Sequence, residues 1–348
     1  MKLKAGLAIL FLITSIYGFS QEGSLFLTHY QKDNVTHLQH WSIAQDSSNA
    51  MFFANRKGVL KYNGETWDFI KIPFIPYALS HHKGSGKIFL GGNQNIGYLK
   101  RDDKGFYQYH QLAPDSILSG EFINIEKVDS LVYFMSEEMI VRTDPQNLNV
   151  EKIWNAKKNK PFTGIIHNSE HVFINQWNEG LQRLQSDTLF PIVSGFWTKN
   201  KEILFSLLYS NKRILIGTDD NKLYLFDGMK FYDYHLKNQS YIEESIISNG
   251  LRISKNRFAL STLAGGVVLI DELTREIIYT INYQTGLPGD EVAAIGLDEN
   301  RGLWISHPYG ITRADLNLPV KKFSTYPGIE GNLINTVEYD SILYLATG

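Results

Sequence analysis

The 348-residue chain contains no cysteine. Disulfides, thiolate nucleophiles and cysteine-ligated zinc or iron–sulfur centres are thereby excluded together. It also lacks an excess of either charge: 34 Lys and Arg stand against 36 Asp and Glu, a formal net of −2. Spread over this length, that balance leaves no electrostatic footprint for nucleic acid or for an anionic membrane surface, so no nucleic-acid partner is expected for this segment. The 10 prolines never form a run, which leaves no stiff linker between domains. Past the N-terminus no apolar stretch approaches the ~20 residues of a spanning helix. What the chain has in quantity is aromatic residues: 20 Phe, 19 Tyr and 6 Trp. With 43% apolar and 20% charged residues it lies far from the composition of disordered chains and can bury a large core.

The start reads as an export address. Lys2 and Lys4 precede an apolar stretch from Ala5 to Ile16, and Gly18 and Ser20 supply small residues before a cleavage point after Ser20. Residues 1–20 are therefore expected to be a signal peptide, residues 21–348 the exported domain, and the location periplasmic.

The body repeats. Segments starting at Gly58, Gly97, Met139, Gly180, Lys222, Gly266 and Gly310 are spaced by 39, 42, 41, 42, 44 and 44 residues. One position on, each has an apolar residue, from Val59 to Ile311. Five positions on, six have Asn or Asp (Asn63, Asp102, Asp144, Asp227, Asp271 and Asp315), with Gln185 the exception. A strand ending in an Asx turn has this form, because these side chains bond the backbone two residues further along. A short aromatic and aliphatic strand precedes each start, and two more flank the pair. Four strands in about 42 residues is the arithmetic of a propeller blade, and no window carries the spacing of a helical repeat.

The expected fold is all-β, a β-propeller of four-stranded blades. Repeats fall near 37–73, 76–114, 120–154, 162–195, 203–237, 245–282 and 286–324, with a partial eighth at 333–348. The next start would fall past Gly348, which predicts that the eighth unit is truncated and the chain a fragment. Ser24 to Tyr30 is a candidate outer strand for the last blade.

Three stretches carry a family resemblance: "WSIAQDSSNAMFFANRKGVLKYNGETWDFIKIP" from Trp41, "GGNQNIGYLKRDDKGFYQYHQL" from Gly91, and "TGLPGDEVAAIGLDENRGLWISHPYGITRAD" from Thr285. These resemble regulator-propeller repeats, found in the periplasmic sensor region of triple-tyrosine-motif regulators of Bacteroidetes-type bacteria. The resemblance implies a signal-transduction regulator: propellers, a β-sandwich, a transmembrane helix, then a histidine kinase or LuxR-type transcriptional output. It implies membrane contact only through a helix beyond this segment, and a homodimer for the full-length protein.

Chemistry is sparse. No glycine-rich phosphate loop, HExxH helix, GxSxG elbow or calcium loop occurs, so no cofactor, metal or catalytic residue is expected. His81 and His82 are adjacent on a strand and point to opposite faces, which argues against a shared metal. Turns between second and third strands gather on one face of a propeller, and binding residues concentrate on such loops. Those turns carry Arg56, Asn93, Asn95, Glu137, Trp177, Asn178, Asp220, His307 and Tyr309. Amides and carboxylates that bond hydroxyls, with aromatic faces beside them, suit a small polyol or oligosaccharide. The competing expectations are a propeller enzyme of the streptogramin-lyase or lactonase type, and a secreted interaction scaffold.

Overall fold

The structure is a computed structural model that describes residues 24–30, 38–210, 212–318, 333–340 and 342–347. The expected signal peptide, and residues 319–324 of the seventh repeat, lie outside the described residues.

Seven four-stranded sheets follow one another, the first six each built from inside to outside in chain order. The first blade is His40–Gln45, Met51–Asn55, Gly58–Tyr62 and Trp67–Lys71. Its first strand neighbours Pro76–His82 of the second blade on one side and Ala294–Leu297 of the seventh on the other. The ring therefore closes at seven blades. The fourth strand of the seventh blade is Phe26–Tyr30, which pairs with Gly310–Asp315, so the N-terminal segment completes the last sheet. Leu333–Tyr339 and Ile342–Thr347, the two strands expected of a partial eighth repeat, pair as an antiparallel hairpin and fall in a different compact unit from Leu27–Asn317.

Burial explains the sequence pattern. Second strands are covered on both faces by adjoining blades, so they read as unbroken apolar runs and not as alternation. All five residues of Met51–Asn55 and all six of Lys87–Gly92 are buried. Phe52, Ala54 and Val59 of the first blade pack on Ile88, Leu90 and Leu99 of the second, and the same interleaving recurs around the ring. Fourth strands such as Trp67–Lys71 are partly exposed.

The repeated turn residues do what their chemistry predicts at five positions. Asn63 accepts from the N–H groups of Glu65 and Thr66, and Asp102 from those of Lys104 and Phe106. Asp144, Asp227 and Asp271 accept in the same way. At Gln185 the turn is instead a tight pair, Ser186 and Asp187, both at positive φ. The glycine that opens the repeat has a steric cause. Gly58 has φ +149°, and a Cβ there would meet the Ile70 carbonyl at 2.5 Å; Gly266, at φ +73°, would meet that of Ile281 at 2.1 Å.

A two-turn α-helix, Gln239–Ser245, precedes the sixth blade. The sequence pattern missed it, since seven residues are too few for a periodic apolar stripe.

Candidate functional site

In each blade the turn from second to third strand and the connection into the first strand lie at the same end of the sheet. The connections are nearest the axis, because first strands form the inner ring. Two strand spacings further out, roughly 10 Å from the first strand, runs the third. The turn residues named from the sequence therefore stand back from the axis, and the residues entering the first strands surround it.

A register slip recurs at those entries. In five blades the pairing of first and second strands skips one residue: Trp41, Tyr77, Thr163, Leu204 and Ser248. Such a bulge bends the strand and re-aims the extra side chain. All five residues line one cavity of about 450 Å³, whose wall comes from the first strands of six consecutive blades. This cavity is the mouth of the central channel.

The mouth is lined by aromatic and by acidic groups. Trp41 and Tyr77 meet with ring centroids 5.4 Å apart, tilted by 58°. The Tyr77 hydroxyl donates to Glu121 Oε1 at 3.1 Å, and burial together with that carboxylate raises the phenol's pKa. The same cavity is lined by Glu126, Glu137 and Glu202. Burial pushes the Glu126 carboxyl up to about 7, with Lys127 opposing the shift, and His167 Nε2 lies 3.8 Å from its Oε2. Burial likewise lowers the His167 pKa. Glu202 is raised by burial, then by Asp219 and Glu137.

The opposite end of the channel holds a cavity of about 560 Å³, lined by Asp46, His81, His82, Lys127 and Asp298 among others. Its buried carboxylates are already occupied. Asp46 accepts from the Ser48 and Ala50 N–H groups, Arg101 and the Tyr107 hydroxyl. Asp298 accepts from the Gly302 N–H, Trp304 Nε1 and Arg313 Nε. His82 Nδ1 accepts from the Ser85 N–H within its own turn. That end is built for structure, and the mouth is the better candidate despite its smaller volume.

Of the residues named from the sequence, the structure brings Glu137 into the mouth. Arg56 is exposed and close enough to Tyr77 to lower its pKa. Asn93 is exposed and bridges to Glu121, while Asn95 accepts from Gln111 Nε2 at 3.5 Å. Trp177 is half-buried; Asn178 is exposed, with its Nδ2 donating to the Asn159 carbonyl. Asp220 is held by Lys201 and Thr218. Tyr309 is 59% exposed, but His307 is only 1% exposed. The two nitrogens of His307 are taken: Nε2 bonds the Thr312 hydroxyl at 2.8 Å, and Nδ1 accepts the Tyr309 N–H at 3.3 Å. It closes its turn as Asn55, Ser136 and Thr262 close theirs, each accepting a backbone N–H two or three residues on.

The bulged residues are the part that sequence reasoning did not name. A faint signal was present: Trp41 and Tyr77 each stand immediately before the apolar core of a first strand. That they are bulged inward follows only from cross-strand register.

No family model and no curated protein matches the chain. Solved structures do. One is the extracellular domain of BT3049 from B. thetaiotaomicron, described as a hybrid two component system, at TM-score 0.69 and 14% identity. The match covers 93% of this chain and 47% of that one, so the chain spans about half its length. The extracellular domain of BT4673 from the same organism, described as a one component system, matches at TM-score 0.61 and 14% identity, over 83% of this chain and 39% of that one. Virginiamycin B lyase from Staphylococcus aureus matches at TM-score 0.62 and 14% identity, over 84% of this chain and 99% of that one. At such identities the likeness establishes the propeller fold alone.

Proposed function

We propose that this propeller is the extracytoplasmic ligand-sensing part of a transmembrane signal-transduction regulator, and that it binds a small polyol or oligosaccharide in the channel mouth. The observation that carries this reading is the fivefold register slip, which sends one side chain per blade into a single cavity and sets a Trp41–Tyr77 pair on its wall. Paired aromatic faces beside hydrogen-bonding carboxylates suit sugar rings. The export-type N-terminus and the likeness to extracellular domains of two component systems support the location and the role. In this reading the ligand acts through a membrane helix and a homodimer of the whole receptor. Arg56, Asn93, Asn95, Trp177, Asn178 and Tyr309 form an outer collar for a longer ligand.

The test is a thermal-shift and calorimetric screen of neutral mono- and oligosaccharides. A binder is expected to raise the melting temperature, and Trp41→Ala to weaken it by about tenfold, the cost of one buried aromatic anchor. A binder that treats Trp41→Ala and Tyr77→Ala as it treats the parent would place the ligand elsewhere and sink this reading.

One observation favours a second reading, catalysis in the channel. The Glu126 carboxyl and the His167 imidazole lie 3.8 Å apart, with the carboxyl near neutrality, which is the arrangement of a general acid and base. Incubating any bound sugar with the protein and following its mass distinguishes the two. Conversion abolished by His167→Gln supports an enzyme, and an unchanged ligand supports a sensor.

A further inference from the structure

The cavity at the mouth is electrostatically one-sided in a chain whose charges otherwise balance. Glu126, Glu137 and Glu202 line it, and no lysine or arginine does. Among the described residues none of the three carboxylates forms an ion pair, apart from the 3.8 Å approach of His167 to Glu126. Glu126 is half-buried, and Glu137 and Glu202 are exposed. A divalent metal is a poor fit, because no three acidic or histidine side chains among the described residues converge as ligands. The half-buried rings of Trp41 and Tyr77 on the wall of the same cavity offer a second, independent attraction for a cation.

We infer that the ligand of this mouth is positively charged, a compact molecule bearing a protonated primary amine, which the aromatic pair stacks and the glutamates neutralise. The inference rests on the mouth being the binding site, as proposed above. Amino sugars and polyamines share this chemistry, and a cavity of about 450 Å³ admits either. The electrostatics of the empty wall agree in direction. Glu126 is raised by burial, with Lys127 opposing, and His167 Nε2 lies 3.8 Å from its Oε2. Glu202 is raised by burial and by the negative charges of Asp219 and Glu137. Glu126 and Glu202 are thus held away from their charged forms, and a bound ammonium would reverse that. Binding is accordingly expected to strengthen as pH rises through about 7, the range in which Glu126 ionises.

The test compares three probes by calorimetry at neutral pH: the glucosamine disaccharide, its N-acetylated counterpart, and spermidine. The N-acetyl form keeps the ring and its stacking and loses the charge. The amine form is expected to bind about tenfold more tightly than the acetylated one, and Glu137→Gln and Glu202→Gln each to weaken it several-fold. Spermidine binding with the same sensitivity to both Gln variants would assign the site to polyamines; disaccharide binding alone would assign it to amino sugars. Equal binding of the two disaccharides, lost in Trp41→Ala, would overturn the charge inference and leave the mouth as the site. Binding of neither amine would also overturn it, and the mouth itself would then stand or fall on the neutral sugars and Trp41→Ala. Both Gln variants remove repulsion and are expected to melt no lower than the parent, so lost binding in a variant with an unchanged melt reports on the ligand and not on folding.

Discussion

Two imidazoles at the seam between the first and seventh blades are kept neutral by burial. His40 is 2% exposed; its pKa falls to about 4 through burial, with the Leu38 backbone opposing and the nearby His307 adding to the fall. His307 falls to about 4 through burial and the nearby His29. A histidine with its native pKa below its unfolded value of about 6.5 takes up a proton on unfolding throughout the interval between them. Stability is therefore complete above pH ~6.5 and declines as pH falls towards 4, by at most about 2–3 kcal/mol per ring. His40→Phe keeps the edge-on packing against Phe53 and removes one of these two contributions. Urea midpoints of the variant are expected to fall less steeply between pH 6.5 and pH 4; an unchanged slope would show that His40 does not contribute to the loss. At this scale the sequence was a poor guide. His307 is a candidate ligand residue from its place in a second-to-third-strand turn, and only the packed seam reveals that its ring serves the turn from within.

Among the elements, the short helix before the sixth blade depends on a residue from another blade. Asn221, in the second-to-third-strand turn of the fifth blade, donates through Nδ2 to the Ile242 and Glu243 carbonyls at 2.7 and 3.0 Å and accepts the Ile247 N–H at 2.7 Å. One amide thus serves two carbonyls near the helix end and the first donor of the next strand, groups that otherwise lack partners there. Asn221 also has φ +62°, a conformation that asparagine tolerates and alanine resists. Asn221→Ala is expected to cost about 2–3 kcal/mol, and Asn221→Gly less, because glycine keeps the backbone and loses only the bonds. Chemical denaturation of the pair checks this, and equal losses would mean that φ contributes nothing. The contrast with the Asx turns explains what was legible. Asp102, Asp144 and Asp271 act on N–H groups two to four residues away, so spacing alone exposed them. The Asn221 clamp spans more than twenty residues, and the register slips at Trp41 and Tyr77 depend on a partner strand, so neither leaves a periodic trace.

For the whole molecule the decisive contact joins the two ends of the ring. Period and turn chemistry revealed four-stranded blades because the first six are each built from contiguous sequence. The strand that completes the seventh comes from nearly 300 residues away, and Ser24 to Tyr30 is a candidate for it only because N-terminal strands close propellers, not through the period. Its hold is concentrated in Tyr30, whose ring stacks on Trp304 at 5.2 Å and meets Tyr62 and Trp67 at 5.2 and 5.7 Å, so one side chain ties the last blade to the first. His29 adds a bond to Thr312 at 2.9 Å. Gly310 leaves the approach open, since a Cβ there would meet the Tyr30 carbonyl at 2.9 Å. A ring closed this way should unfold as one body, because opening the seam exposes the edge of Gly310–Asp315 and the apolar faces of two blades together. Tyr30→Ala is expected to lower stability by about 2–3 kcal/mol, with Tyr30→Phe near neutral. Deleting Phe26–Tyr30 is expected to do more: the calorimetric transition should broaden and move down, and the protein should self-associate through the freed edge. A deletion variant that stays monomeric and melts in one sharp transition at the parent temperature would show that the other blade contacts close the ring unaided. Because the mouth is assembled from first strands of six blades, that variant should also lose ligand affinity although none of its missing residues lines the cavity.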